Sequence, residues 1–477
     1  MSSRKGMIVE KKMANVRTTR WVLPMLLGIS LGAAAQDTSQ SIPATPPAPA
    51  PAFGQNAPIL NPDNPPLSGL DEPSLQLKTA SRSFISPALQ IGESGDSNAS
   101  NQLGGSKAEA LSHILGAFDL QKFWPRSDLF LEYLGGGAFG DDPYYARQLQ
   151  AVGLESVMRW RTGQLTLRDG FSYLPDGSFY ALSAGGLPGY GIATAGLGLG
   201  LPGIYHMVEG SIGTIPRLSN QAIADVVQAI NPRSAFTVVG AYSDSHFYHN
   251  TDDLLNGDES TVEAGYSHLI NRHDQIALVD AFQVFRFPDI AGGEIYNNVM
   301  NIRYSHVISG RMSFVGGIGP QYTDLRYGGS STSWSAAGRA VLKYRFEHTS
   351  LLASYEKFTS QGSGFFAGAD TQVAQASVTR PFGRTYEAYL EASYSHNKRL
   401  SQALAVPGVG ATSYNEGAAA VILRKHLNRA FDAIAAYRFA DVEFNVPVSL
   451  GGTTGRINQR QIGTVALEWH PKAVRIE

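Results

Sequence analysis

Between Ser335 and Phe346, apolar and polar positions alternate residue by residue. Ala336, Gly338, Ala340, Leu342, Tyr344 and Phe346 form one set, and Ser335, Ala337, Arg339, Val341, Lys343 and Arg345 form the other. A period of two puts successive side chains on opposite faces of a strand. After Glu347–Thr349 the alternation resumes, with Leu351, Ala353 and Tyr355 set against Ser354 and Glu356. The stretch predicts a β-hairpin with one wet face and one apolar face tipped by aromatics.

The pattern returns along the chain. In 385–395, Tyr386, Ala388, Leu390, Ala392 and Tyr394 oppose Glu387, Glu391, Ser393 and Ser395. In 431–439, Phe431, Ala433, Ala435, Tyr437 and Phe439 oppose Asp432 and Arg438, and in 153–160, Leu154, Met158 and Trp160 oppose Glu155 and Arg159. The segment 275–287 breaks the pattern, because Asp280 shares a face with Leu278 and Phe282. The segment 220–230 is ambiguous: Ile223, Val226, Val227 and Ile230 fit a helix capped by Ser219 as well as a strand.

Tight turns rich in Pro, Gly and Asn fall at 124–127, 161–163, 231–234, 271–274, 309–311, 347–349, 381–384 and 427–429. Between them lie longer polar connections, at 135–143, 247–260, 359–370, 397–413 and 444–459. Eight tight turns join sixteen strands. Segments 82–93 and 461–469 add a first and a last, for eighteen in all, or about sixteen if 220–230 is a helix. An even number lets the first and last strands pair and close a barrel. The expected fold is therefore all-β: a transmembrane antiparallel up-and-down barrel with short turns at one end and long loops at the other. Apolar faces built from Ala and Gly, with Tyr, Phe or Trp at their tips, suit lipid better than an interlocking core. Leu342, Tyr344, Leu390, Tyr394 and Trp469 are the lipid-facing candidates; Arg339, Lys343, Arg345, Glu387, Glu391, Asp432 and Arg438 are the lumen-lining ones.

Composition agrees with this picture. The chain has 477 residues, no cysteine, 51 glycines and a formal net charge of −2. Disulfides and thiolate metal sites are excluded, and the charge gives no general argument for nucleic acid. A mean hydropathy of −0.13 is far from that of a helical membrane protein, but alternating strands average near zero. At the N-terminus, Arg17 and Arg20 precede the apolar run Trp21–Leu31 and then Gly32–Ala35. This predicts a secretory signal peptide over 1–35, with Met13 a plausible start, and the apolar run is too short for a membrane helix of about 20 residues. Residues 36–80 read as a Pro-rich disordered linker, 81–470 as the barrel and 471–477 as a short tail.

Candidate chemistry is sparse. There is no nucleophile elbow, zincin or P-loop motif, so no catalytic residues, metal or cofactor are expected. Tyr-Ser-His recurs at 266–268, 304–306 and 394–396, and reads as aromatic-girdle chemistry before it reads as a catalytic histidine. Asp252, Asp253, Asp258 and Glu259 read as a solvated acidic loop, with divalent-cation binding as the sharper reading. The longest loop, 176–219, contains Gly185–Gly191 and Gly196–Gly203 and is the one connection that looks long enough to fold inward as a constriction.

On these grounds the chain resembles the porin-like outer-membrane β-barrels of Gram-negative bacteria over about residues 82–470. The resemblance is architectural; Trp469 stands where such barrels end in an aromatic, although a tail follows it. It implies an outer-membrane location reached by a cleaved signal peptide, insertion by the barrel-assembly machinery, contact with outer-membrane lipid, and passive diffusion of small solutes. A homo-oligomer is compatible with it. A non-conducting surface barrel whose long loops bind a ligand, matrix or partner is the alternative, and a barrel enzyme is the third reading.

Overall fold

The computed structural model describes residues 83–99, 107–140, 147–174, 217–248, 254–326, 331–346, 348–362, 364, 366–400, 411–445, 456–472 and 474–476. The expected signal peptide and linker, Asp252, Asp253 and most of the 176–219 loop lie outside them.

The strands are β1 Phe84–Asp96, β2 Glu109–Phe123, β3 Ser127–Gly140, β4 Arg147–Trp160, β5 Gly163–Leu174 and β6 Arg217–Asn231. Then follow β7 Ser234–Phe247, β8 Gly257–Leu269, β9 Asp274–Arg286, β10 Glu294–Ser309, β11 Met312–Leu325 and β12 Ser331–Arg345. The last are β13 Ser350–Ser360, β14 Ala369–Phe382, β15 Tyr386–Arg399, β16 Ser413–His426, β17 Phe431–Asn445, β18 Arg456–Trp469 and the two-residue β19 Val474–Arg475. Each strand pairs antiparallel with its neighbour in sequence, and β18 pairs with β1, Leu89 opposite Trp469, so that eighteen strands close a ring. Closure gives each of the eighteen long strands two neighbours, the condition for crossing a bilayer with strands.

The hairpin at 335–358 pairs as its alternation requires, with Tyr344 opposite Leu351, Leu342 opposite Ala353 and Arg339 opposite Glu356. Residues 220–230 are strand, not helix: Ile223, Asp225 and Val227 are buried, while Val226 and Ile230 on the other face are exposed. A helix there would have stripped β5 and β7 of their ladders, and β-branched residues tolerate the pleat well. The strands also run further than the loop-like sequence suggests. Gly135–Gly137 lie within β3 and pair with β2, and Asp258 and Glu259 open β8 rather than hanging in a loop. Asp280 sits on the exposed face of β9, where Asn298 Nδ2 of β10 donates to its Oδ1 at 3.2 Å. The residues after Trp469 also join the sheet. His470 N donates to Ala430 O at 2.9 Å, and Val474 and Arg475 pair with Ile85 and Phe84.

Candidate functional site

Gln361 Nε2, just beyond β13, donates to Ser243 Oγ of β7 at 3.2 Å. Those strands are six places apart in the ring, so the bond runs through the interior and identifies the buried face as the inner one. The described residues of the connection after β13, Gln361, Gly362, Gly364 and 366–368, lie against the inner face. Gly362, Gly364 and Gly368 have φ of 85°, 81° and 78°, a left-handed region that side-chain-bearing residues rarely adopt. Gly364 O accepts from Leu255 N at 2.9 Å, which ties the connection to the one between β7 and β8. Phe366 is fully buried and packs at 5.5 Å between ring centroids on Tyr414, which packs at 5.5 Å on Phe444, both in tilted arrangements. Phe247, Leu254 and Val442 complete this cluster, and Phe285, Phe287, Ile295, Leu325 and Ala367 form a second. The expectation that only 176–219 could reach inward therefore fails: a much shorter connection does so, because three glycines let it turn tightly and Phe366 anchors it.

Beside these apolar clusters runs a chain of hydrogen bonds among amides and hydroxyls that starts at the Glu259 carboxylate. Gln283 Nε2 donates to Glu259 Oε1 at 3.0 Å, Asn297 Nδ2 to Gln283 Oε1 at 2.7 Å, and Thr323 Oγ1 to Asn297 Oδ1 at 3.0 Å. Gln321 links Thr323 to Thr359 of β13. From β13 the chain continues through Ser360, Thr371 and Asn397, at 2.7 and 2.8 Å.

The charged inner residues are paired. Arg303 of β10 reaches past β9 to hold Glu263 of β8 with two bonds, at 3.2 and 3.0 Å, over the small side chains of Ala277, Val279 and Ala281. Arg339 Nε lies 3.0 Å from Glu356 Oε1. At the seam, Arg460 holds Asp96 with Nε and Nη2, the closest contact being 2.5 Å. Arg424 Nη2 lies 3.2 Å from Glu468 Oε2, and its Nε lies 3.6 Å from Asp432 Oδ2. Asp432 is fully buried, with His426 Nδ1 at 2.9 Å and His470 Nε2 at 3.2 Å. His470 lies beyond the last long strand, and its contact with the Asp432 carboxylate raises its pKa above the ordinary imidazole value.

All seven charged candidates fall on inner-face positions of their strands. Arg339 and Lys343 lie along β12, with Arg345 exposed at its end. Glu391 is buried and accepts from Gln375 Nε2 at 2.9 Å and Tyr389 Oη at 2.6 Å; Glu387 lies four residues earlier on β15. Asp432 joins the seam cluster, while Arg438 lies farther along β17 and is also buried. Leu342 and Tyr344 occupy the opposite face of β12, and Leu390, Tyr394 and Trp469 are exposed on the outer faces of β15 and β18. Sequence reasoning missed Asp96, Glu263, Arg303, Arg424, Arg460 and Glu468. Each shares its strand face with buried residues, so extending the period of two from any recognised neighbour would have found it.

The Tyr-Ser-His repeats do not converge on one site. Tyr266 Oη donates to Ser234 Oγ at 2.9 Å, and Ser234 Oγ lies 2.9 Å from His268 Nδ1. Tyr304 and His306 both bond Asp274, the histidine at 2.6 Å, and His396 bonds Asn415 at 2.6 Å. They are separate ties between neighbouring strands. Among the described residues, no group of three or more His, Asp or Glu could hold a metal ion.

No sequence family and no curated protein matches the chain. Among solved structures it is similar to the outer-membrane protein OpdK of Pseudomonas aeruginosa, at 11% identity and a TM-score of 0.40, covering 82% of this chain and 98% of that one. It is also similar to OpdO of the same organism, at 14% identity and a TM-score of 0.39, with coverages of 82% and 98%. The same holds for OprD of that organism, at 8% identity and a TM-score of 0.38, with coverages of 82% and 96%. The hydrogen-bonded ring itself identifies the architecture: a closed, porin-like β-barrel with an apolar outer face and a polar, ion-paired interior.

Proposed function

We propose that the protein is an outer-membrane channel for passive diffusion of small solutes. The observation that carries this reading is a closed eighteen-strand ring with apolar residues outside and paired charges and amides inside. Barrels of 16–18 strands enclose an aqueous lumen. On this reading Leu342, Tyr344, Leu390, Tyr394 and Trp469 face outer-membrane lipid, and Arg339, Lys343, Arg345, Glu387, Glu391, Asp432 and Arg438 line or rim the lumen. The signal peptide over 1–35 delivers the chain across the inner membrane, the linker over 36–80 precedes the barrel, and the barrel-assembly machinery inserts it. Reconstitution into planar bilayers should give discrete single-channel steps in potassium chloride. Arg in place of Leu342 or Leu390 should impair assembly by about 2–4 kcal/mol at midplane.

We propose that the connection around Phe366 narrows the lumen and that 176–219 does so as well. Leu111, Leu115, Phe130, Leu134 and Ile223 make an apolar inner wall on β2, β3 and β6, where the Leu and Ile of that loop would find cover. Deleting 185–203 should raise conductance and leave assembly intact. Occupation of the interior by the connection around Phe366 favours one second reading, a non-conducting surface barrel. A folded, reconstituted barrel without conductance would establish that reading instead.

A further inference from the structure

We propose that the inner wall of β8–β13 holds a binding slot for a small zwitterion, of the size of a short α-amino acid, between the Glu263–Arg303 and Arg339–Glu356 pairs. The proposal rests on the reading of the interior as a solute path and names the solute class that this wall would retain. Gly317 of β11 stands directly between the two arginines in the ladder, opposite Arg303 on one side and Arg339 on the other. Neighbouring strands lie about 4.8 Å apart, so the arginine backbones flank the glycine across roughly 10 Å. A cavity of about 80 Å³ opens there, lined by both ion pairs, Gly317, Asn301 and Phe358. A water needs roughly 10–15 Å³ by the same measure, so the space suits a molecule of about five to eight heavy atoms.

The charge pattern selects the ligand class. Each arginine already faces a carboxylate, and nearby Lys357 lies 3.4 Å from Asp370, so these pairs carry no net charge. Adding a lone anion or cation to such a half-buried site would introduce an uncompensated charge, which is costly away from bulk water. A zwitterion adds none. Its carboxylate can bond a guanidinium while its ammonium bonds the glutamate of the other pair, replacing like with like. Asn301 gives independent support. Its Oδ1 is buried without a hydrogen-bond partner beside the slot, and an acceptor in that state calls for an N–H donor.

The test is calorimetric titration of the full-length barrel, purified in detergent, with L-alanine, acetate and ethylammonium chloride. Saturable alanine binding, with the two single-charge analogues weaker by roughly tenfold or more, is expected. Arg303→Gln and Glu356→Gln should each weaken alanine binding by a similar factor. Gly317→Ala keeps all four charged side chains but brings a methyl group 3.0 Å from Arg303 Cγ, so that Arg303 must shift, and should also weaken it. Heat-modifiable gel migration confirms that each variant is folded. Acetate or ethylammonium binding as tightly as alanine, no saturable alanine binding to the folded wild type, or alanine binding unchanged in the folded variants would each overturn the proposal. Conductance in potassium chloride is measured separately. An open channel that does not bind alanine rejects the slot and leaves the channel reading standing, whereas alanine binding to a silent barrel does the reverse.

Discussion

The inner cap around Phe366 and the seam where β16–β18 meet β1 both bury their side chains, but by different means. The cap is neutral: the rings of Phe366, Tyr414 and Phe444 pack in tilted pairs, and amides and hydroxyls from Gln283 to Asn397 bond one another. The seam is ionic, with Arg460 on Asp96 at one end, and Arg424, Glu468, Asp432, His426 and His470 at the other. In the cap, apolar contacts between residues distant in sequence hold Phe366 against the wall. Ion pairs across fixed strands set how the last strand meets the first. The two regions should therefore fail differently: the seam by losing the barrel, the cap by opening it.

The largest effect is expected at the seam. Asp432→Ala leaves Arg424, His426 and His470 facing one another without their shared carboxylate. Breaking a buried ion pair from one side costs about 3–5 kcal/mol. The folded, heat-modifiable species should lose thermal stability strongly; an unchanged melting point would show that the seam does not depend on its charges.

Phe366→Ala removes the anchor of the cap. Buried Phe→Ala changes cost about 3–5 kcal/mol, and the low end applies where a loop can relax into the space. Because 361–368 lies outside the strand ladder, the ring should survive and conductance should rise. Loss of the barrel with no gain in conductance would erase the distinction between the regions. A smaller change follows from Gln283→Ala, which removes one bond from Glu259 and one from Asn297 while Thr261 and Thr323 still hold them. Each loses a bond worth about 1 kcal/mol, and a moderate drop in melting temperature is expected.

Much of this was legible in the sequence, and the limits were physical. Alternation at Leu342, Leu390 and Tyr437 gave the strands and their faces, because a period of two is imposed by the pleat itself. Asp280 looked like an error in that pattern; its partner Asn298 lies on another strand, and pairing between strands is not written in either alone. The same is true of Arg303, which finds Glu263 two strands away. The inward course of the connection around Phe366 was hidden for a different reason. Its Gly-rich composition fits an outer loop equally well, and only the positive φ of three glycines and the docking of Phe366 against residues distant in sequence turn it inside.

The subtlest test of the comparison is pH, to which the seam should respond and the cap should not. His470 faces Asp432, with Glu468, Arg424 and His426 around the same carboxylate. Contact with Asp432 raises the folded pKa of His470 above its unfolded value of about 6.5. A group with a raised folded pKa binds protons more tightly in the folded state. Its contribution is therefore complete below about pH 6.5 and fades as pH rises through the higher folded value. His470 is partly solvated, so the contribution is modest. The wild-type barrel should melt at a slightly higher temperature at pH 5.5 than at pH 8.5. His470→Gln should reduce that difference, while Phe366→Ala should lower both melting points and leave the difference intact. Equal pH dependence in His470→Gln and wild type would remove His470 from the seam's energetics and leave its ionic character to the arginines alone.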